Sequence, residues 1–240
     1  MWMERVYRSG NVVEKSRFWV PANARPRTKK KASTISRKQD ANDRDTVKRL
    51  ARIINCNFTQ GDIMLCLTYD DKSYKGILSN ADPRQAASVD FKKFIRKLKT
   101  KYDGEFKYVA VTSDMDGDTY DDARMHHHVI IKKMDYDIIK ECWPNGTIDY
   151  VPLKKMKDYS KIAAYFLRQV RKIPNAKKYY VSRNMEKPII SESIVEINLE
   201  IRVPNGAVVM ERGIYKPECP QYVRYTLKKG KKSVPKIQGD

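Results

Sequence analysis

His126, His127 and His128 are the only histidines in the 240-residue chain, and they open the apolar run Val129-Ile130-Ile131. Successive side chains of a strand point to opposite faces, so His126 and His128 share one face while His127 joins Val129 and Ile131 on the other. Two imidazoles fixed at i and i+2 lose little freedom on closing around an ion, which suits a two-histidine metal site. The same spacing is also compatible with a histidine cluster at a strand end. A divalent ion held by two histidines needs further ligands, and a carboxylate is the expected third. The stretch Ser113 to Asp122 supplies five aspartates, of which Asp114 lies nearest the end of the preceding strand. A calcium loop is not expected there, because its glycine stands at the fourth position instead of the sixth and Met125 replaces the closing glutamate.

A second group of reactive residues lies between Asp158 and Lys172. At helical spacing, Tyr159, Ile162, Ala163, Phe166 and Val170 form one face, while Lys161, Tyr165, Arg168 and Lys172 follow i, i+4, i+7 and i+11 along another. A tyrosine among cations can attack a phosphodiester that those cations hold and so form a phosphotyrosine. It can equally be an amphipathic side chain at the border of buried and wet faces. A phenol, with a pKa of about 10, leaves more readily than a sugar hydroxyl, so such a covalent link stays reversible. A nearby ion would offset charge on the phosphate oxygens.

The composition points to a polyanionic partner. Lys plus Arg outnumber Asp plus Glu by 49 to 29, a formal net charge of +20, and the first 58 residues hold 15 of the basic residues against five acidic ones. Lys29, Lys30 and Lys31 lie in a Pro/Lys/Arg/Ser-rich segment from Pro21 to Gln39 that reads as a flexible basic arm. There is no run of about 18 apolar residues and no secretory h-region at the N-terminus, so a cytoplasmic protein without a membrane partner is expected. Cys56, Cys66, Cys142 and Cys219 form no C-x-x-C pair and read as reduced thiols in or near the core. The H-x-E and P-C-x-x-C elements of zinc deaminases are absent, as is a phosphate-binding G-x-x-x-x-G-K-[ST] loop.

The elements that must position these groups follow from periodicity. A strand-like stretch around Val6 and Val12-Val13 precedes the arm, and an amphipathic helix spans Asn42 to Asn55. Ile63 to Tyr69 is a central strand. Asp82 caps a helix with Pro83 at its first position, and Phe91, Phe94, Ile95, Leu98 and Tyr102 lie on one side. Its basic side reads as a solvated face. Strands follow at Phe106 to Thr112 and at the histidines. A short helix from Tyr136 to Cys142 is broken by Trp143-Pro144-Asn145-Gly146, and Thr147 to Leu153 is the next strand. After the helix from Asp158 come Tyr179-Tyr180-Val181 and a β-prone tail. The order predicts an α+β domain, a central antiparallel sheet of about five strands with helices on one face. The divisions expected are residues 1–58 (basic arm and helix), 59–190 (the endonuclease-like core) and 191–240 (a β-prone extension).

The residues Leu67-Thr68-Tyr69, Arg124 to Ile131, Trp143 to Gly146, Ala164 to Arg168 and Ser182 to Pro188 together resemble rolling-circle replication initiators of small bacterial phages and plasmids, single-tyrosine members of the HUH endonucleases. The resemblance implies that His126 and His128 bind Mn2+ or Mg2+ and that Tyr165 is the nucleophile. It places Arg168 where the family carries lysine, a cation that cannot serve as a proton donor at ordinary pH. Ser113 stands where relatives often carry a metal-binding glutamate, leaving Asp114 or another aspartate to substitute. The implied function is site-specific nicking and strand transfer on single-stranded or hairpin origin DNA through a 5′-phosphotyrosine, with a host helicase and polymerase as partners. Lys161, Lys172, Arg124 and Arg183, with the arm lysines, are the expected DNA contacts. HUH transposases and relaxases share the chemistry. A non-catalytic single-strand-binding module, stacking bases on some of the 15 tyrosines, is the alternative of a different class.

Overall fold

The computed structural model describes residues 1–21, 36–116, 119–170, 177–196, 200–213 and 221–227, with the side chains of 36–41 and 115–123 left aside. Among these, the elements run β1 (Trp2–Ser9), β2 (Val12–Trp19), α1 (Ser36–Asn57), β3 (Ile63–Thr68), α2 (Asp71–Leu78), α3 (Pro83–Lys101), β4 (Tyr108–Asp116), β5 (Thr119–Ile131), α4 (Tyr136–Cys142), β6 (Ile148–Pro152), α5 (Ser160–Arg168), β7 (Tyr180–Val181), β8 (Ile189–Ile194), β9 (Val208–Gly213) and β10 (Gln221–Thr226). Two antiparallel five-stranded sheets and the helices make an α+β fold. No helix among the described residues is long and apolar enough to cross a membrane.

The chain forms two units, Ala41–Glu186 and a second made of Met1–Asp40 with Lys187–Asp240. The grouping differs from the expected division, because both ends of the chain share one sheet. In that sheet the order is β8-β1-β2-β10-β9. Gly10, at φ 59°, allows the tight turn between β1 and β2. Val13, Val223, Tyr225 and Ile201 form its small core.

In the unit Ala41–Glu186 the sheet order is β6-β3-β5-β4-β7. The sequence pattern predicts helices on one face of this sheet; the structure puts them on both. The reason lies in the strands. Ile63, Leu65 and Leu67 of β3 pack with Phe91, Phe94 and Leu98 of α3 and Ile139 of α4. On the opposite face Val109, Val111 and Ile130 pack with Leu50 and Ile54 of α1 and Ala163 and Phe166 of α5. Strands apolar on both faces need a cover on each. The Asp82 cap is present, its carboxylate accepting from Gln85 N at 3.0 Å ahead of Pro83. α2 occupies a stretch that reads as a polar loop, started by Asp70, which accepts from Ser73 N at 2.7 Å.

Candidate functional site

The site lies on the α1/α5 face of this sheet and is set by strand register. β3 pairs antiparallel with β5, placing Cys66 opposite His128 and Thr68 opposite His126. β4 pairs on the other side, with Ser113 opposite His126 and Val111 opposite His128. Cross-strand partners point to the same face. The imidazoles of His126 and His128 therefore meet above a floor of Cys66, Thr68, Ser113 and Val111. His127, on the other face, is fully buried. Its ring nitrogens meet Tyr69 OH at 3.0 Å and Thr112 Oγ1 at 2.9 Å, and it stacks on Phe91. Burial first, then the neighbouring histidines, pushes its pKa down to about 3. It is a core residue that anchors the strand.

His126 and His128 approach each other through their Nε2 atoms at 3.1 Å. That is the separation two nitrogens take when each lies about 2.0–2.1 Å from one ion. His126 Nδ1 donates to the Arg124 carbonyl at 2.9 Å, since a carbonyl can only accept. In the neutral ring this leaves the Nε2 lone pair for a ligand, the orientation device common around metal-binding histidines. Burial, with His126 adding to it, pushes the His128 pKa down to about 4, so that imidazole is neutral near pH 7. Burial, with Asp149 adding to it, pushes the Cys66 thiol up to about 11, so the metal-free thiol keeps its proton. Among the described residues, His126, His128 and Cys66 form a cluster whose ligand atoms all lie within 4.8 Å of one another. The donor set fits a divalent metal ion.

Cys66 is the member that sequence reasoning missed. Its only local signal is the alternation of Met64, Cys66 and Thr68 along an otherwise leucine- and isoleucine-lined strand. Asp114, the expected third ligand, is not brought to the imidazoles. Ser113 takes the position opposite His126, so its neighbour Asp114 falls to the α3 side and pairs with Arg84 at 2.7 Å. One residue of strand parity decides this.

Tyr165 is brought to the site. From α5 its half-buried ring meets that of His128 edge to face, 5.1 Å between centroids, beside Phe166. Burial raises the phenol pKa above its ordinary 10, the Cys66 side raises it further, and Arg168 opposes the rise. Arg168 is exposed in the last turn, three residues on from Tyr165, and Lys161 is exposed one turn before it. Tyr159, by contrast, is buried, and its OH reaches the Lys154 carbonyl at 3.5 Å.

The remaining expected DNA contacts are placed variously. Arg124 donates to Asp71 Oδ1 at 2.7 Å and to the Tyr69 carbonyl at 3.1 Å, and its guanidinium lies over Tyr74. It ties β5 to the end of β3 and to α2. Arg183 is exposed on the turn after β7, at the sheet edge away from β3. Lys172, Lys29, Lys30 and Lys31 lie outside the described residues.

The family model described as Replication-associated protein ORF2 matches residues 62–174. This match supports a replication-associated protein. It runs from Asp62, just before β3, past α5, and so contains Cys66, His126, His128 and Tyr165. No curated protein and no solved structure gives a significant match to the chain.

Proposed function

We propose that this replication-associated chain nicks and rejoins single-stranded origin DNA through a covalent link to Tyr165, starting and ending rolling-circle replication. The observation that carries the reading is the approach of the Tyr165 ring to His128, on the face where the His126 and His128 nitrogens converge. A divalent ion held by His126 and His128 would polarise the scissile phosphate and offset charge gathering on its oxygens.

The chain's own residues account for the rest. The Tyr165 oxygen attacks phosphorus, the bond from phosphorus to the 3′ oxygen breaks, and the proton lost by the phenol ends on the released 3′ hydroxyl. One phosphodiester is exchanged for another, so the reaction runs in both directions and the nick stores its own rejoining. Because burial holds the phenol protonated at neutral pH, its proton leaves as the bond to phosphorus forms, and the Arg168 cation favours the charge that develops. Arg168 and Lys161 flank Tyr165 on α5 and suit contacts to neighbouring phosphates. A polymerase would extend the 3′ hydroxyl, and a separate helicase would expose the template, since the sequence has no phosphate-binding loop of its own.

The test uses a 3′-labelled library of randomised single-stranded oligonucleotides, incubated with the protein and Mn2+ and run on a denaturing gel. Wild type should give a slow covalent band; Tyr165→Phe should give none while binding the library with unchanged affinity. Equal bands from both proteins would remove Tyr165 from the reaction. No band from either, with intact binding, would favour the non-catalytic single-strand-binding module.

A further inference from the structure

The geometry points to Cys66 Sγ as the third protein donor of the His126/His128 centre, making a site of two imidazole nitrogens and one sulfur that takes a thiophilic ion such as Zn2+ or Co2+ in preference to Mg2+. The inference rests on the reading of that face as a metal centre and changes the class of ion it selects.

Register brings the three donors together. Cys66 and His128 are direct partners across the β3/β5 pair, with His126 two residues away on the same face. Directly opposed residues hold their Cβ atoms about 4.5–5.5 Å apart, so short side chains leaning together can share one ion. The ligand atoms of all three lie within 4.8 Å of one another, and no other grouping of three among the described residues does so. Hard oxygen donors, which suit Mg2+ and Mn2+, are placed less well. Beside the imidazoles on this face stand the hydroxyls of Thr68 and Ser113, and Thr68 Oγ1 already hydrogen-bonds Thr147 Oγ1. Asp114 pairs with Arg84 on the opposite face. Asp149 shares the site face but sits on β6, exposed and on the far side of β3 from the imidazoles. Donor chemistry agrees with the geometry. Thiolate with imidazole is the set that zinc-type ions prefer, and three protein donors leave a fourth position for water or a phosphate oxygen. On binding, the Sγ–metal bond forms and the thiol proton goes to solvent.

The experiment is a Co2+ titration of the full-length, chelator-treated protein followed by absorption, then competition with Zn2+ and Mg2+. Wild type should develop a near-ultraviolet thiolate-to-cobalt band at one ion per chain, displaced by Zn2+ and not by Mg2+. Cys66→Ser should lose that band and weaken Zn2+ binding by at least the roughly 10–100-fold that loss of a supporting partner alone costs a metal site. Cys66→Asp should shift the preference toward Mn2+, which a merely structural cysteine would not do. Cys56, Cys142 and Cys219 remain in both variants, so a band surviving in Cys66→Ser would assign it elsewhere and overturn the proposal, as would a wild type with no thiolate band. Far-ultraviolet circular dichroism on each variant checks the fold. If the band is present and Tyr165 forms no adduct, the site stands and the nicking reading fails. If the adduct forms with Mg2+ and Zn2+ binds no tighter, the reverse holds.

Discussion

Gly146→Ala should loosen the end of the site strand, and the size of the effect follows from the packing. A Cβ at position 146 would stand 2.1 Å from the Thr68 carbonyl oxygen, 2.7 Å from Asp70 N and 2.8 Å from the Tyr69 carbonyl carbon. All three are backbone atoms, so no rotamer change relieves the clash, and the segment 143–147 must withdraw by roughly 1 Å to reach ordinary contact. That segment holds β3 by three hydrogen bonds: Thr68 N to Thr147 O at 3.0 Å, Asp70 N to Asn145 O at 2.8 Å, and Trp143 Nε1 to Thr68 O at 3.1 Å. At about 0.5–1.5 kcal/mol each, weakening all three costs about 2–4 kcal/mol. The stiffening of the unfolded chain by alanine returns only about 0.4–1 kcal/mol. The assay is urea unfolding followed by Trp143 fluorescence in a Trp2→Phe, Trp19→Phe background, which reports on this unit alone. With m of about 1–3 kcal/mol/M, the midpoint should fall by about 1 M or more. A midpoint unchanged within about 0.2 M, at the same m, would refute the claim that close backbone approach fixes glycine there.

Other perturbations probe the remaining parts of the molecule. Asp62 is buried and accepts from Thr59 N at 2.8 Å, Lys132 Nζ at 3.1 Å and Lys133 N at 3.2 Å. Asp62→Ala should therefore cost about 2–4 kcal/mol, discounted for the partial exposure of Lys132, and thermal unfolding would register it. Asp114→Asn should leave metal affinity unchanged within about threefold, whereas His128→Ala should abolish binding; isothermal titration distinguishes them. In the other unit, burial first and then Glu14 raise the Tyr222 pKa, and its OH donates to Glu14 at 3.2 Å. A folded-state pKa above the unfolded value of about 10 means that this contribution is intact below that pH and is lost as pH rises past it. Urea midpoints measured from about pH 9 to about pH 11 should fall less steeply for Tyr222→Phe than for wild type.

Features governed by one element's own periodicity were legible before the structure. Alternation alone separates His126 and His128 from His127, and the Asp82-Pro83 start and the Tyr165 face of α5 follow from local spacing. What escaped depends on pairing between distant segments. Cys66 reaches the imidazoles only through the β3/β5 register, and Asp114 leaves them through a single step of parity beside Ser113. The union of β1 and β2 with β8 and β10 joins residues nearly the whole chain apart. α2 hid because eight residues with a glycine inside them carry little periodic signal, and its start depends on the Asp70 cap.

The most direct measurement is tandem mass spectrometry of the protein after reaction with the oligonucleotide library and nuclease digestion. A nucleotide 5′-phosphate should be found on the phenolic oxygen of Tyr165, beside His128. A modification mapped instead to Tyr159, or to any tyrosine away from the two histidines, would contradict the assignment of the α5 phenol as nucleophile.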